Sequence, residues 1–179
     1  MDLSLIINSI EKFKHDNGQL ANSSNYPVSC KEIIGALESF SACVRYLNTR
    51  RSKGAKLQIN SEADVQDAIF LMLRPLVSDI TWESPDEKAA NRFIIKDFAI
   101  PSASCVIEAK YVRDNEHGKN ISKELHDDIE MYRRGKYENI IFFVYDPNSL
   151  IPDIVSLKEQ ICCERRYGSK TITCYLLIP

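Results

Sequence analysis

Three residues with side chains suited to chemistry sit inside stretches that are otherwise largely apolar. Asp97 lies in Phe-Ile-Ile-Lys-Asp-Phe-Ala-Ile (93–100), and Glu108 and Lys110 lie in Cys-Val-Ile-Glu-Ala-Lys-Tyr-Val (105–112). Side chains alternate across a strand, so Glu108 and Lys110 share one face while Ile107 and Ala109 share the other. The short Pro101–Ser104 link predicts an antiparallel hairpin, because parallel strands need a long crossover. A turn centred near 102–103 sets Asp97 level with Glu108, and two carboxylates and an ammonium converge on one side of a sheet. Like charges buried together need a cation to neutralise them. A hard divalent ion such as Mg²⁺ binds through one or two carboxylates plus phosphate oxygens. A lysine beside such an ion can orient or deprotonate an attacking water and stabilise a negative transition state. The same residues also suit a plainer arrangement, an internal Glu–Lys or Asp–Lys ion pair at a strand end, and Glu-x-Lys spacing alone does not separate the two.

A fourth candidate comes from the segment starting at Ser61. At about 100° per residue, Glu62 falls at the centre of the stripe formed by Val65, Ile69, Leu73 and Leu76, with Gln66 beside it. Asp64 and Asp67 fall on the polar side. A glutamate in a first turn can reach back as a cap to Asn60 or Ser61. It can equally serve as the outer acid of a metal site under the sheet.

The elements that would position these groups follow from periodicity and breakers. Apolar spacing predicts helices over 2–15 and from about Ser29 through Leu47, separated by a polar loop from Asn17 to Pro27. The second ends in the basic run Arg50, Arg51, Lys53 and Lys56, which suits either a solvated helix C-terminus or a phosphate contact. Further helices are expected at 61–76, from Ile121 to Arg134 and from Ile154 to Glu164. Between Leu76 and Phe93 a connector is expected, and a Gly118-containing loop before Ile121. The run Asn139–Pro147 (NIIFFVYDP) reads as a strand buried on both faces, and Thr171–Ile178 as a terminal strand. The order is that of an α/β (α+β) domain around a mixed central sheet, 61–179, preceded by an N-terminal helical extension, 1–60, packed on that core.

Length and composition narrow the options. A chain of 179 residues is a little over one typical domain. The 23 basic and 25 acidic residues leave a net charge of −2, so any phosphate contact must come from local patches rather than bulk charge. No apolar run is long enough for a membrane span. The acidic N-terminus has no small-residue cleavage motif, so a cytoplasmic protein is expected. The six cysteines show no CxxC and no zinc-finger spacing, and free thiols are expected over disulfides. His15, His117 and His126 lack partners at ligand spacing.

Taken in order, these residues resemble the PD-(D/E)XK nuclease superfamily, in particular its branch around the DpnII/MboI-type restriction enzymes. The likeness runs from about Leu37 to Ile151. It includes Leu47-Asn-Thr-Arg50, Glu62-Ala-Asp-Val-Gln66, Lys96-Asp97-Phe98, Ile107-Glu108-Ala-Lys110, Glu124-Leu125, Asp128-Ile129, Tyr132 and Phe143-Val-Tyr145-Asp146-Pro147. The resemblance implies a restriction-endonuclease-like αβββαβ core and Mg²⁺-dependent cleavage of nucleic acid, DNA before RNA, with Mn²⁺ as a substitute. By position, Asp97 and Glu108 would be metal ligands helped by the carbonyl of Ala109. Lys110 would activate water, Glu62 would be the helix acid, and Gln66 would support it. Pro85–Asp86 is a Pro-Asp pair in the expected connector and is set aside, and Lys96 stands where the family often has an arginine or other polar residue. Arg113, Lys119 and Lys123 are candidates to grip phosphates, or ordinary solubilising charges. Tyr132, Asp128 and Asp146 are expected to be structural. Without a separate target-recognition domain, an effector nuclease with a homo-oligomeric or activating partner is expected, by analogy in bacterial defence. The alternatives are a catalytically silent scaffold of the same fold and an RNA-cutting variant.

Overall fold

The structure, a computed structural model, describes residues 28–51, 54, 56–89 and 92–179, with the backbone alone for 83–89 and 92–95. The helix expected at 2–15 and the loop to Pro27 lie outside the described residues. Five helices are described: α1 (Cys30–Glu38), α2 (Phe40–Thr49), α3 (Glu62–Leu73), α4 (Asn115–Tyr132) and α5 (Ile154–Ile161). Six strands accompany them: β1 (Thr81–Ala89), β2 (Arg92–Ile100), β3 (Cys105–Tyr111), β4 (Asn139–Tyr145), β5 (Glu164–Tyr167) and β6 (Lys170–Leu177). They form one mixed sheet in the order β1-β2-β3-β4-β6-β5. β3, β4 and β6 run parallel at its centre, and β1–β2, β2–β3 and β5–β6 pair antiparallel.

The parallel centre explains the near-continuous apolar runs, because both faces of β3 and β4 are covered. On one face Ile107 and Phe143 pack with Ile33 and Leu37 of α1, Phe40 of α2, and Val65, Ile69 and Leu73 of α3. On the other, Val106, Phe142 and Val144 pack with Ile121, Leu125 and Ile129 of α4 and Leu157 and Ile161 of α5. The Phe40 ring lies 4.8 Å from that of Phe143. The hairpin expectation holds: β2 and β3 are joined by a 3₁₀ turn, Pro101–Ala103, with Ser104 in the left-handed region at φ 46°.

Four expectations need correction. The connector holding Pro85–Asp86 is strand β1, whose backbone pairs with Ile95 and Ile94 of β2; its proline and acidic residues masked the strand, and such residues are tolerated where a strand borders the sheet. The helix expected from Ser29 is two helices parted at Ser39, where the Ser39 N–H reaches both Ala36 and Leu37 carbonyls and tightens the turn. β5 occupies 164–167, which places Glu164 in a hairpin with β6 around Gly168 at φ 64° rather than in the preceding helix. Finally, α4 starts at Asn115, six residues early. Asp114 caps it by accepting from the His117 N–H at 2.8 Å.

Gly118, read as a loop marker, lies inside the first turns of α4. A Cβ there would stand 2.4 Å from the Leu150 carbonyl oxygen. The missing side chain is what allows α4 to sit against residues 150–151, a segment fixed in turn by Asp146, whose carboxylate accepts from Leu150 and Ile151 N–H, both at 2.9 Å. Gly118→Ala is therefore expected to destabilise the fold by about 1–3 kcal/mol through overpacking against backbone, seen as a fall of several degrees in the thermal midpoint. An unchanged midpoint would contradict this close approach.

Candidate active site

The site begins where β2 leaves β3. The ladder between them runs Ile100–Cys105, Ala99–Val106 and Phe98–Ile107 and stops there. Past that point the β3 backbone groups that would have bonded β2 take side-chain partners instead. The Ala109 N–H donates to Asp97 Oδ2 at 2.8 Å, and the Glu62 carboxylate stands beside the Tyr111 backbone. Two acids from different elements thus fill an opened strand edge. In an antiparallel ladder a residue's N–H and C=O serve the same neighbour, so the Ala109 carbonyl faces this opening too.

Glu62 is free for that task because another residue does the capping. Asp64 accepts from the Asn60 N–H at 2.9 Å and the Ser61 hydroxyl at 2.8 Å, while Ser61 accepts from the Asp64 N–H. Glu62, half-buried, turns instead toward Lys110 and Asp97. Gln66, one turn on, lines a recess of about 210 Å³ with Asp97, Phe70 and Trp82.

On the opposite side of β3 stands α4. Lys110 Nζ lies 3.3 Å from Asp128 Oδ2 and 3.8 Å from Glu108 Oε2, and the Tyr132 hydroxyl donates to Glu108 Oε1. Glu108 is 5% exposed. Burial first, then the charge of Asp97, pushes its pKa up to about 8. Burial likewise raises Glu62, against the pull of Lys110, and raises Asp128. Burial works against the Lys110 ammonium, but Asp128, Glu108 and Glu62 outweigh it and hold its pKa above the ordinary value. Lys96 is nearly wholly covered, with its ammonium 4.8 Å over the Tyr137 ring. Burial and then Lys136 draw its pKa down to about 8, against the pull of Glu108.

Among the described residues, no three His, Cys, Asp or Glu side chains gather closely enough to hold a metal ion unaided. A hard divalent cation does not require that: one or two carboxylates suffice when water and phosphate oxygens complete its shell. Asp97 and Glu108 are hard oxygen donors whose mutual repulsion a cation would relieve, so the residues fit such an ion.

Of the residues singled out from sequence, the structure brings together Asp97, Glu108, Ala109, Lys110, Glu62 and Gln66. Arg113 lines an adjoining cleft of about 530 Å³ with Glu62, Lys110, His117 and Glu124. Lys119 and Lys123 are exposed on α4, about 180° and 140° around the helix from Asp128, and do not join the group. Three residues of α4 were read as structural or unassigned and belong to the cluster's wall. Asp128 and Tyr132 hold Lys110 and Glu108, and His117 accepts from the Arg113 N–H through Nδ1 at 3.4 Å and meets Glu124 through Nε2 at 3.3 Å. The recurrence of Glu124, Asp128 and Tyr132 at every fourth position was the available signal: one polar line beside an apolar stripe.

A mixed sheet flanked by helices, with acids and a lysine at an opened strand pair, is the architecture of a restriction-endonuclease-like α/β protein. A family model, REase_DpnII-MboI, matches residues 31–175, and the chain belongs to this DpnII-MboI restriction endonuclease family. Membership places it among nucleases, hydrolases that cut DNA. No curated protein and no solved structure gave a match. Among the described residues, no helix is long and apolar enough to cross a membrane.

The raised Glu108 carries a measurable consequence in the absence of divalent ions. Between its ordinary value of 4.5 and about 8, the folded state retains a proton that the unfolded chain has released, so stability falls as pH rises through that window. Glu108→Gln removes the ionisation. In chelator, the variant is expected to melt above the parent near about pH 8.5, with the gap closing toward pH 5; a variant that melts lower across the whole range contradicts the assignment.

Proposed function

We propose that the protein is a Mg²⁺-dependent DNA endonuclease whose ion is held by Asp97 and Glu108, assisted by the Ala109 carbonyl, with Glu62 as an outer acid. The observation that carries this reading is the pair of acids at the opened β2–β3 edge beside a charged lysine. When bound, Mg²⁺ supplies Lewis-acid polarisation of a phosphate oxygen and lowers the pKa of a coordinated water. Lys110, kept protonated by its three carboxylate neighbours, is suited to orienting the attacking water and offsetting negative charge that develops on the phosphate. Glu62 and Gln66 flank the opening from α3, and Arg113, at the mouth of the adjoining cleft, is placed to meet a phosphate of the substrate strand. Lys119 and Lys123 would touch nucleic acid only across a separate surface of α4.

With a net charge of −2, bulk electrostatics supply little affinity for DNA. This favours an effector nuclease recruited or activated by a partner protein or by self-assembly; a restriction or antiviral defence setting in the cytoplasm follows only by analogy with restriction enzymes. The same charge balance favours the rival reading, a silent scaffold in which Lys110 merely closes an internal ion pair with Asp128.

Cleavage of DNA and RNA with Mg²⁺, comparing the parent with Asp97→Ala and Lys110→Ala, separates these readings. Both variants are expected to lose about 10²–10⁴-fold in rate on DNA. Equal cleavage by all three proteins would exclude the assigned site, and cleavage of RNA alone would move the substrate class.

A further inference from the structure

We propose that Tyr132 is a positioning residue for the ion site: its hydroxyl binds Glu108 Oε1 and so turns Oε2, the oxygen on the Lys110 side, toward the cation. The inference deepens the nuclease reading and rests on it. Tyr132 closes α4 and is 4% exposed, packed in the layer that also holds Ile129 and Tyr137. A phenylalanine would fill the same space, so packing does not account for the hydroxyl. A buried phenol needs a polar partner, and the partner here is the carboxylate buried deepest among the site acids. The bond is charge-assisted whenever Glu108 is ionised.

Its value lies in what Glu108 would do without it. A glutamate side chain has several rotatable bonds, and near-complete burial limits its space without choosing which oxygen faces the opening. Tyr132 makes that choice from one side, while Asp128, one turn earlier on the same helix, holds Lys110 at 3.3 Å. α4 therefore sets the orientation of both β3 side chains at once, with no atom of Tyr132 reaching the substrate. Outer hydrogen bonds of this kind fix the direction of a ligating carboxylate, and losing one weakens metal affinity without removing a ligand.

The test is calorimetric titration of Mn²⁺ into the full chain, comparing the parent, Tyr132→Phe and Tyr137→Phe, the last losing the hydroxyl of a tyrosine in the same layer whose ring packs under Lys96. Tyr132→Phe is expected to bind Mn²⁺ about 10–100-fold more weakly, to regain the parental cleavage rate at saturating metal, and to show a smaller metal-induced rise in melting temperature. Tyr137→Phe is expected to match the parent in all three. The melting readout keeps the comparison valid if Tyr132→Phe is less stable, since a purely structural loss lowers both curves equally. Equal Mn²⁺ affinity for Tyr132→Phe and the parent would overturn the positioning role and leave the nuclease reading standing. A parent that neither binds Mn²⁺ nor cuts DNA would overturn both.

Discussion

The parting of β2 from β3 after the Phe98–Ile107 pair is the constraint on which the site depends. A strand that loses its neighbour inside a protein leaves buried backbone N–H groups to be satisfied, and unsatisfied ones are costly. Here Ala109 faces that requirement and Asp97 meets it, with Glu62 beside the Tyr111 backbone. The Asp97 carboxylate is thereby bonded into the scaffold from the hairpin partner, and Glu62 approaches the same edge from the start of α3. Backbone geometry, rather than side-chain attraction, assembles the acids.

The electrostatic balance follows from that placement. Three carboxylates, Asp128, Glu108 and Glu62, act on the Lys110 ammonium, and Asp97 acts on Glu108 and Glu62. The ammonium benefits and stays charged, while Glu108, the most buried of these acids, is held above the ordinary carboxylate range. In the low-dielectric interior such an excess of acids is tolerated where a further cation or protons can compensate it. The α4 face opposes it with donors, the Tyr132 hydroxyl and, at the rim, the His117 imidazole next to Glu124. A cluster of acids about Lys110, two of them buried, makes poor sense as a stabilising device alone, since buried ion pairs contribute little net stability.

The surrounding framework serves rigidity at this point. α3 is anchored by its Ser61–Asp64 cap, which releases Glu62 from capping. α4 is held close by the absent side chain of Gly118 against Leu150, and that segment by the Asp146 carboxylate. Both helices press on β3 from opposite faces, so the two ends of the site are fixed by independent packing layers. All six cysteines are free thiols, with Cys30 and Cys105 Sγ 3.7 Å apart, and packing alone closes the fold.

By itself the sequence determined the hairpin, its register, the burial of β4 and the nearness of Asp97, Glu108 and Lys110. Each follows from period-two alternation and a short link, which are local rules. It also placed Glu62 on the inner stripe of its helix, although it left open whether that residue capped the helix. The early start of α4, the strand at 81–89 and the contacts of Asp128, Tyr132 and His117 were decided only by tertiary structure. Gly118 and Pro85 carry strong local turn signals, and those signals yield when a close backbone approach or a place bordering the sheet uses the same residue for packing. A helix residue becomes part of a site through what lies opposite it, and that neighbour, β3, is set by a parallel crossover no local pattern encodes.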